Sequence, residues 1–152
     1  MDKTHKGRAP EELLYEGVQL TRPLLRNITA RVEADLEGTG VSVGQRAILE
    51  VLLAVGEAAA PEITRLLDVS RQFVGRELKL MLASEMVATT ANPKHRSSHK
   101  YRLTVKSRRV IEAIRDREKA EFRKFAEQFT PSEIEGYYKI QKALNDGMSV
   151  KA

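Results

Sequence analysis

Between Val69 and Thr104 the sequence reads as a capped helix, a short strand, a basic turn and a second strand, an order that few small folds share. Ser70 is a good N-cap, and the pattern after it predicts a helix to about Ser84. Val87–Ala91 and Lys100–Thr104 have strand composition, with NPKHRSSH as the turn between them. This succession predicts a winged helix-turn-helix in a mainly α chain with a small β-wing.

Upstream, Pro61 suits the first turn of a short helix ending at Leu67, Asp68-Val69 forms the turn, and Ala58-Ala59 suits a minimal edge strand. Two short helices around a tight turn would share a core of Ile63, Leu66, Val69, Val74, Leu78 and Met81. Arg71, Gln72, Gly75, Arg76 and Lys79 fall off that stripe at helical spacing, most of them near the amino end that recognition helices point into the major groove. An arginine fork matches guanine O6 and N7, and a glutamine pairs with adenine N6 and N7. On an arbitrary helix the same polar residues would only be a solvated face. Phe73 either packs into the motif or meets a thymine methyl, and packing is the commoner fate of an aromatic.

Charge reinforces the DNA reading. The net charge is +5, ordinary for solubility, yet no Asp or Glu occurs from Met86 to Ile111, where Lys94, Arg96, Lys100, Arg102, Lys106, Arg108 and Arg109 all fall. Lys94, Arg96 and Lys100 suit phosphates, and Arg96 suits insertion into a narrow minor groove. A basic hairpin that merely protects its strand edges is the alternative.

The first ten residues read as a mobile tail. Glu11–Glu37 carries Leu14, Val18, Leu25, Ile28, Val32 and Leu36 at helical spacing. Pro23 interrupts this pattern, so either Thr21 caps a helix starting there or a longer helix kinks. Ser42 and Gln45 make a capping-box pattern opening a helix that buries Val43, Ala47, Ile48, Val51, Leu52 and Val55. The expected division is tail 1–10, an N-terminal helix in 11–40, the winged DNA-binding domain 41–104, and C-terminal helices in 105–152.

With VSRQFVGRELKLML and NPKHRSSHKYRLT in hand, the chain from about Val41 to the helix after Thr104 resembles the multiple-antibiotic-resistance regulator (MarR) family. The first segment resembles that family's recognition helix, and the second its wing, from the Asn-Pro opening through Arg96 to the closing Leu-Thr. The resemblance implies a homodimer with interlocked terminal helices, so that the N-terminal helix in 11–40 serves dimerisation along with those of 105–152. It implies two winged lobes on a pseudo-palindromic site in double-stranded DNA, and repression until a small-molecule effector binds between the dimer helices and the lobes. It places Ser70, Arg71, Gln72, Arg76 and Arg96 at the DNA. The chain departs from the family pattern at Gly75, His95 and Ser97.

The last third points to dimerisation on its own residues. Val105–Phe129 reads as a long helix carrying Val110, Ile111, Ile114, Phe122, Phe125 and Phe129. A capping box at Thr130–Glu133, with Pro131 at the first position, opens another presenting Ile134, Tyr137, Tyr138, Ile140 and Leu144. These faces are expected to meet a second copy rather than only their own first helix.

Other function classes find little support. The chain has no cysteine, which excludes disulfides, thiolate metal sites and thiol redox sensing. His5, His95 and His99 fall in a tail or a turn, and no glycine-rich phosphate loop accompanies them, so no enzyme, cofactor or metal site is expected. No apolar run approaches the roughly 18 residues of a membrane helix, and the expected setting is cytoplasmic. The competing reading is a winged-helix interaction module whose basic face binds RNA or an acidic protein.

Overall fold

The helices of the winged core begin where the sequence supplies caps. In the computed structural model, which describes residues 7–91 and 99–150, α3 (Val43–Val55) opens with a complete capping box. Gln45 N–H donates to Ser42 Oγ at 3.1 Å, and Ser42 N–H donates to Gln45 Oε1 at 3.3 Å. α5 (Arg71–Ala83) starts where Phe73 N–H donates to Ser70 Oγ at 3.1 Å. Between them lie β1 (Glu57–Ala59) and α4 (Ala60–Leu67), and after them β2 (Val87–Ala91), β3 (His99–Leu103) and α6 (Val105–Ala126). α1 (Pro10–Gln19) and α2 (Thr21–Leu36) precede α3, and α7 (Pro131–Met148) closes the order. The chain divides into two compact units, Met1–Arg108 and Arg109–Ala152.

Within the first unit, the turn between α4 and α5 relies on Asp68, which takes the left-handed conformation at φ 53° and ψ 49°. Among non-glycine residues Asp tolerates this conformation comparatively well, because its short side chain bonds locally. α4 and α5 then pack on each other and on α3. Ile48, Leu49 and Leu52 of α3, Ile63 of α4, and Val74, Leu78 and Met81 of α5 are all buried, with Ala58, Met86, Val87 and Leu103 closing the core from the strands.

Four expected core positions are instead exposed: Val43, Val55, Leu66 and Val69. Val43 and Val55 are the first and last residues of α3 and overrun the core at both ends. α4 has only eight residues and buries Ile63 alone, so Leu66 turns outward, while Val69 follows the left-handed Asp68 and leaves the stripe. Leu49, not anticipated, is fully buried beside Ile48.

The strands form one antiparallel sheet in the order β1-β3-β2, so Ala58-Ala59 is the expected edge. Val87 pairs with Leu103 and Ala91 with His99, while Glu57 pairs with Arg102 and Ala59 with Lys100. Thr104 is not the last strand residue but the cap of α6. Ser107 N–H donates to its Oγ1 at 3.1 Å, and its own N–H donates to Ser107 Oγ at 3.0 Å. Thr104 Oγ1 also donates to the Glu85 carbonyl at 2.8 Å, tying the start of α6 to the turn after α5.

At Pro23 the structure resolves the open choice. α1 ends at Gln19 and α2 begins at Thr21, with Leu20 in an α conformation between them and Pro23 in the first turn of α2. Thr21 is thus the first helical residue, and no side chain caps the helix. Of the expected tail, residues 1–6 lie outside the described residues, Arg8 is ion-paired with Glu16, and Pro10 begins α1. α1 buries no residue, α2 buries only Leu36, and Leu14, Leu20, Leu24, Leu25 and Ile28 are exposed.

In the second unit the long helix stops at Ala126 rather than Phe129. Residues 127–129 tighten into three-residue turns, the last donating from Phe129 N–H to the Ala126 carbonyl at 3.1 Å. Pro131 keeps Thr130 extended and so bars the helix from running beyond Phe129, because a proline disfavours helical geometry in the residue before it. Thr130 and Glu133 form the second capping box, with Thr130 N–H donating to Glu133 Oε2 at 2.8 Å. Ile111 and Ile114 are buried, whereas Phe122, Phe125, Phe129, Tyr137 and Tyr138 are exposed.

Candidate nucleic-acid interface

Burial of Val74, Leu78 and Met81 fixes which side of α5 faces outward. Arg71, Gln72, Gly75, Arg76 and Lys79 are all exposed along the opposite side, beginning at the helix's first residue. The Ser70 hydroxyl accepts from Phe73 N–H and keeps its proton as a donor on the same exposed end. The amino end of α5 therefore gathers two arginines, a glutamine and a serine where the helix dipole favours an anion.

Phe73 takes the packing role. Its ring lies against Gly44 on α3, close enough that a Cβ at Gly44 would overlap it. The Arg76 guanidinium sits over the same ring, 5.8 Å from its centroid. Arg76 Nε also forms an ion pair with Glu77 Oε1 at 3.5 Å, and Glu77 Oε2 accepts from Gln45 Nε2 at 3.1 Å. A polar chain thus runs from the Ser42 cap through Gln45 and Glu77 to Arg76. The sequence marked Gln45 only as a capping residue and did not mark Glu77; they stand 32 positions apart, with no local pattern joining them. A carboxylate bordering the buried stripe, one residue before Leu78, was the available signal that Glu77 needed a partner.

The acid-free window is less bare in space than in sequence. β1 brings Glu57 beside the wing strands, where Lys100 Nζ meets Glu57 Oε1 at 3.4 Å and Thr90 Oγ1 donates to Glu57 Oε2 at 3.4 Å. Lys106 Nζ donates to the Ser84 carbonyl at 2.9 Å, using its charge at the carboxyl end of α5. Lys100 therefore stands on β3 in an ion pair, apart from the cluster on α5. Lys94 and Arg96, with His95 and Ser97, lie outside the described residues.

Among the described residues no group of three or more His, Cys, Asp or Glu is placed to hold a metal ion, and no helix is long and apolar enough to cross a membrane. The second unit has an open hollow of about 460 Å³ between the end of α6 and the start of α7, lined by Ala126, Phe129, Pro131 and Ile134 and edged by Arg123 and Glu127.

Against solved structures, the chain matches the crystal structure of the MarR family transcription regulator SP03579 at 43% identity and a TM-score of 0.85, covering 90% of each chain. The chain belongs to the MarR family. A MarR family protein from Bacillus stearothermophilus is similar in fold at 20% identity, with a TM-score of 0.79 over 93% of this chain and 99% of that one. RV1404 from Mycobacterium tuberculosis gives 19% identity and a TM-score of 0.76 over 95% and 99%. No protein-family model matches the chain, and no curated protein does. Family and winged fold thus agree with the expectation drawn from the recognition-helix and wing segments of this MarR-family chain.

Proposed function

We propose that this MarR-family chain is a dimeric, sequence-specific DNA-binding transcription regulator that represses until a small-molecule effector binds. The observation that carries the reading is the outward side of α5, where Arg71, Gln72 and Arg76 cluster at the amino end of a helix whose other side is locked in the core. In this reading Arg71, Gln72 and Arg76 meet base edges in the major groove. Ser70 and Lys79 meet phosphates, and Gly75 lets the helix backbone come close. Lys94 and Lys100 follow the backbone, and Arg96 enters the minor groove. Residues 41–104 form the DNA-binding domain. The helices of 11–40 and 105–152 supply the two-fold contact, a proposal supported by their exposed Leu24, Leu25, Phe122 and Tyr138. No residue is given a catalytic role.

The test is binding of the purified protein to the intergenic DNA beside its own gene, at several salt concentrations and against an unrelated duplex of equal length. The expected result is selective binding by a dimer, with Arg71→Ala weakening the selective duplex by about 1–3 kcal/mol and sparing the unrelated one. Equal, salt-erased binding to both duplexes overturns the regulator and favours an interaction module.

A further inference from the structure

We propose that Glu77 is a positioning residue that presents Arg76 to a guanine. The inference rests on the reading of Arg76 as a base-contacting residue and adds a partner that sets its specificity. Residues adjacent on a helix do not normally face each other. Arg76 Nε nevertheless comes within 3.5 Å of Glu77 Oε1 as an ion pair, while the guanidinium stands 5.8 Å from the Phe73 ring centroid. A guanidinium has two faces for bidentate contact, one including Nε and one formed by the terminal nitrogens. With Nε on the side of the Glu77 carboxylate, the terminal pair remains for DNA, and its fork matches guanine O6 and N7.

Glu77 is itself anchored. Its side chain is only 12% exposed, and its second oxygen is fixed by Gln45 Nε2 at 3.1 Å. Gln45 is in turn locked by the α3 capping box through its Oε1. Arg76 is 68% exposed at its side chain and would otherwise sample many rotamers. A fixed carboxylate below and an aromatic ring alongside reduce that freedom before DNA arrives, which lowers the ordering cost of binding. The same carboxylate opposes phosphates at long range. Glu77 therefore lowers indiscriminate attraction while sharpening one base contact.

Those opposed effects give a signature that damage to the fold would not. The probe is a duplex that the full-length protein selects from a random-sequence pool, compared with versions in which each guanine is replaced in turn and with an unrelated duplex. For Glu77→Gln, discrimination at one guanine position is expected to fall about tenfold. Affinity for the unrelated duplex stays the same or rises. At that position Arg76→Ala combined with Glu77→Gln is no worse than Arg76→Ala alone, the coupling expected of groups that act as a unit. If Arg76→Ala loses discrimination but Glu77→Gln retains it, the positioning role is overturned and the Arg76 contact stands. If Arg76→Ala itself retains discrimination, the base-contact reading of Arg76 falls and takes the inference with it. A loss for Glu77→Gln that is equal on both duplexes, with a lowered melting temperature, assigns Glu77 to structure alone and also overturns the proposal.

Discussion

Gly44 on α3 and Phe73 on α5 are packed so closely that a single methyl group at Gly44 would occupy the space of the Phe73 ring. The contact sets how near α5 lies to α3, and it places the ring beside Arg76. Gly44→Ala must displace the far end of the ring, at a cost of up to about 1–3 kcal/mol for overpacking, of which alanine's better helix propensity offsets up to about 1 kcal/mol. We expect a lower thermal midpoint together with weaker binding of the selective duplex. Phe73→Leu in the same chain should recover part of the stability but not the selectivity, because the ring under Arg76 is then gone. Thermal melts and titrations on the natural chain, the two single variants and the double variant check this.

Lys100 provides a second test, in which a charge counted as basic surface is already engaged. Exposed ion pairs contribute about 0–1 kcal/mol, so Glu57→Gln should leave stability nearly unchanged. It should also free the Lys100 ammonium. Affinity for an unrelated duplex is then expected to rise at low salt, with the salt dependence steepening by less than about one phosphate contact, since Lys100 already follows the backbone in part. Lys100→Ala should reduce that slope in the Glu57→Gln background more than in the natural chain. Equal effects in both backgrounds would show that Glu57 does not restrain Lys100.

The winged helix-turn-helix was legible in the chain because its signals are local. Ser42, Ser70 and Thr130 announce helix starts by chemistry within three residues, and each cap forms where expected. The strands and the outward side of α5 follow from short periodicities. What escaped was set by contacts between distant segments. Glu57 lies next to Lys100 only through the β1–β3 register, and Glu77 meets Gln45 only because α3 packs on α5. The burial of Leu49 and the exposure of Leu66 and Val69 have the same origin: apolar character marks what can be buried, while the neighbouring helix decides which side is. Pro131 bounded the helix only at Thr130, and the apolar series running to Phe129 gave no sign of the earlier end at Ala126.

The terminal helices leave large apolar side chains uncovered, and the two-fold assembly proposed above accounts for them. Phe125 and Phe129 form a tilted ring pair with centroids 5.6 Å apart, and both are exposed. Phe125→Asp would place a charge within such an interface. We expect sedimentation to shift from dimer to monomer, with loss of selective binding, while the circular dichroism of the helices persists. A dimer that survives this change would exclude the Phe125 surface from the contact.

Gly75 separates the needs of the helix from those of DNA. It lies within α5, and a Cβ built there meets nothing within 4 Å. Glycine in a helix interior is less favourable than alanine by about 1 kcal/mol, so Gly75→Ala should raise the stability of the free protein by up to that amount. The residue lies between Gln72 and Arg76 on the exposed side, where an added methyl would stand between the helix backbone and the bases. Binding of the selective duplex should weaken although the protein melts at a higher temperature. Opposite changes of stability and affinity in one variant would mean that the glycine is retained for close approach to DNA. If affinity is unchanged and stability rises, Gly75 is simply tolerated and the backbone does not come near the groove floor.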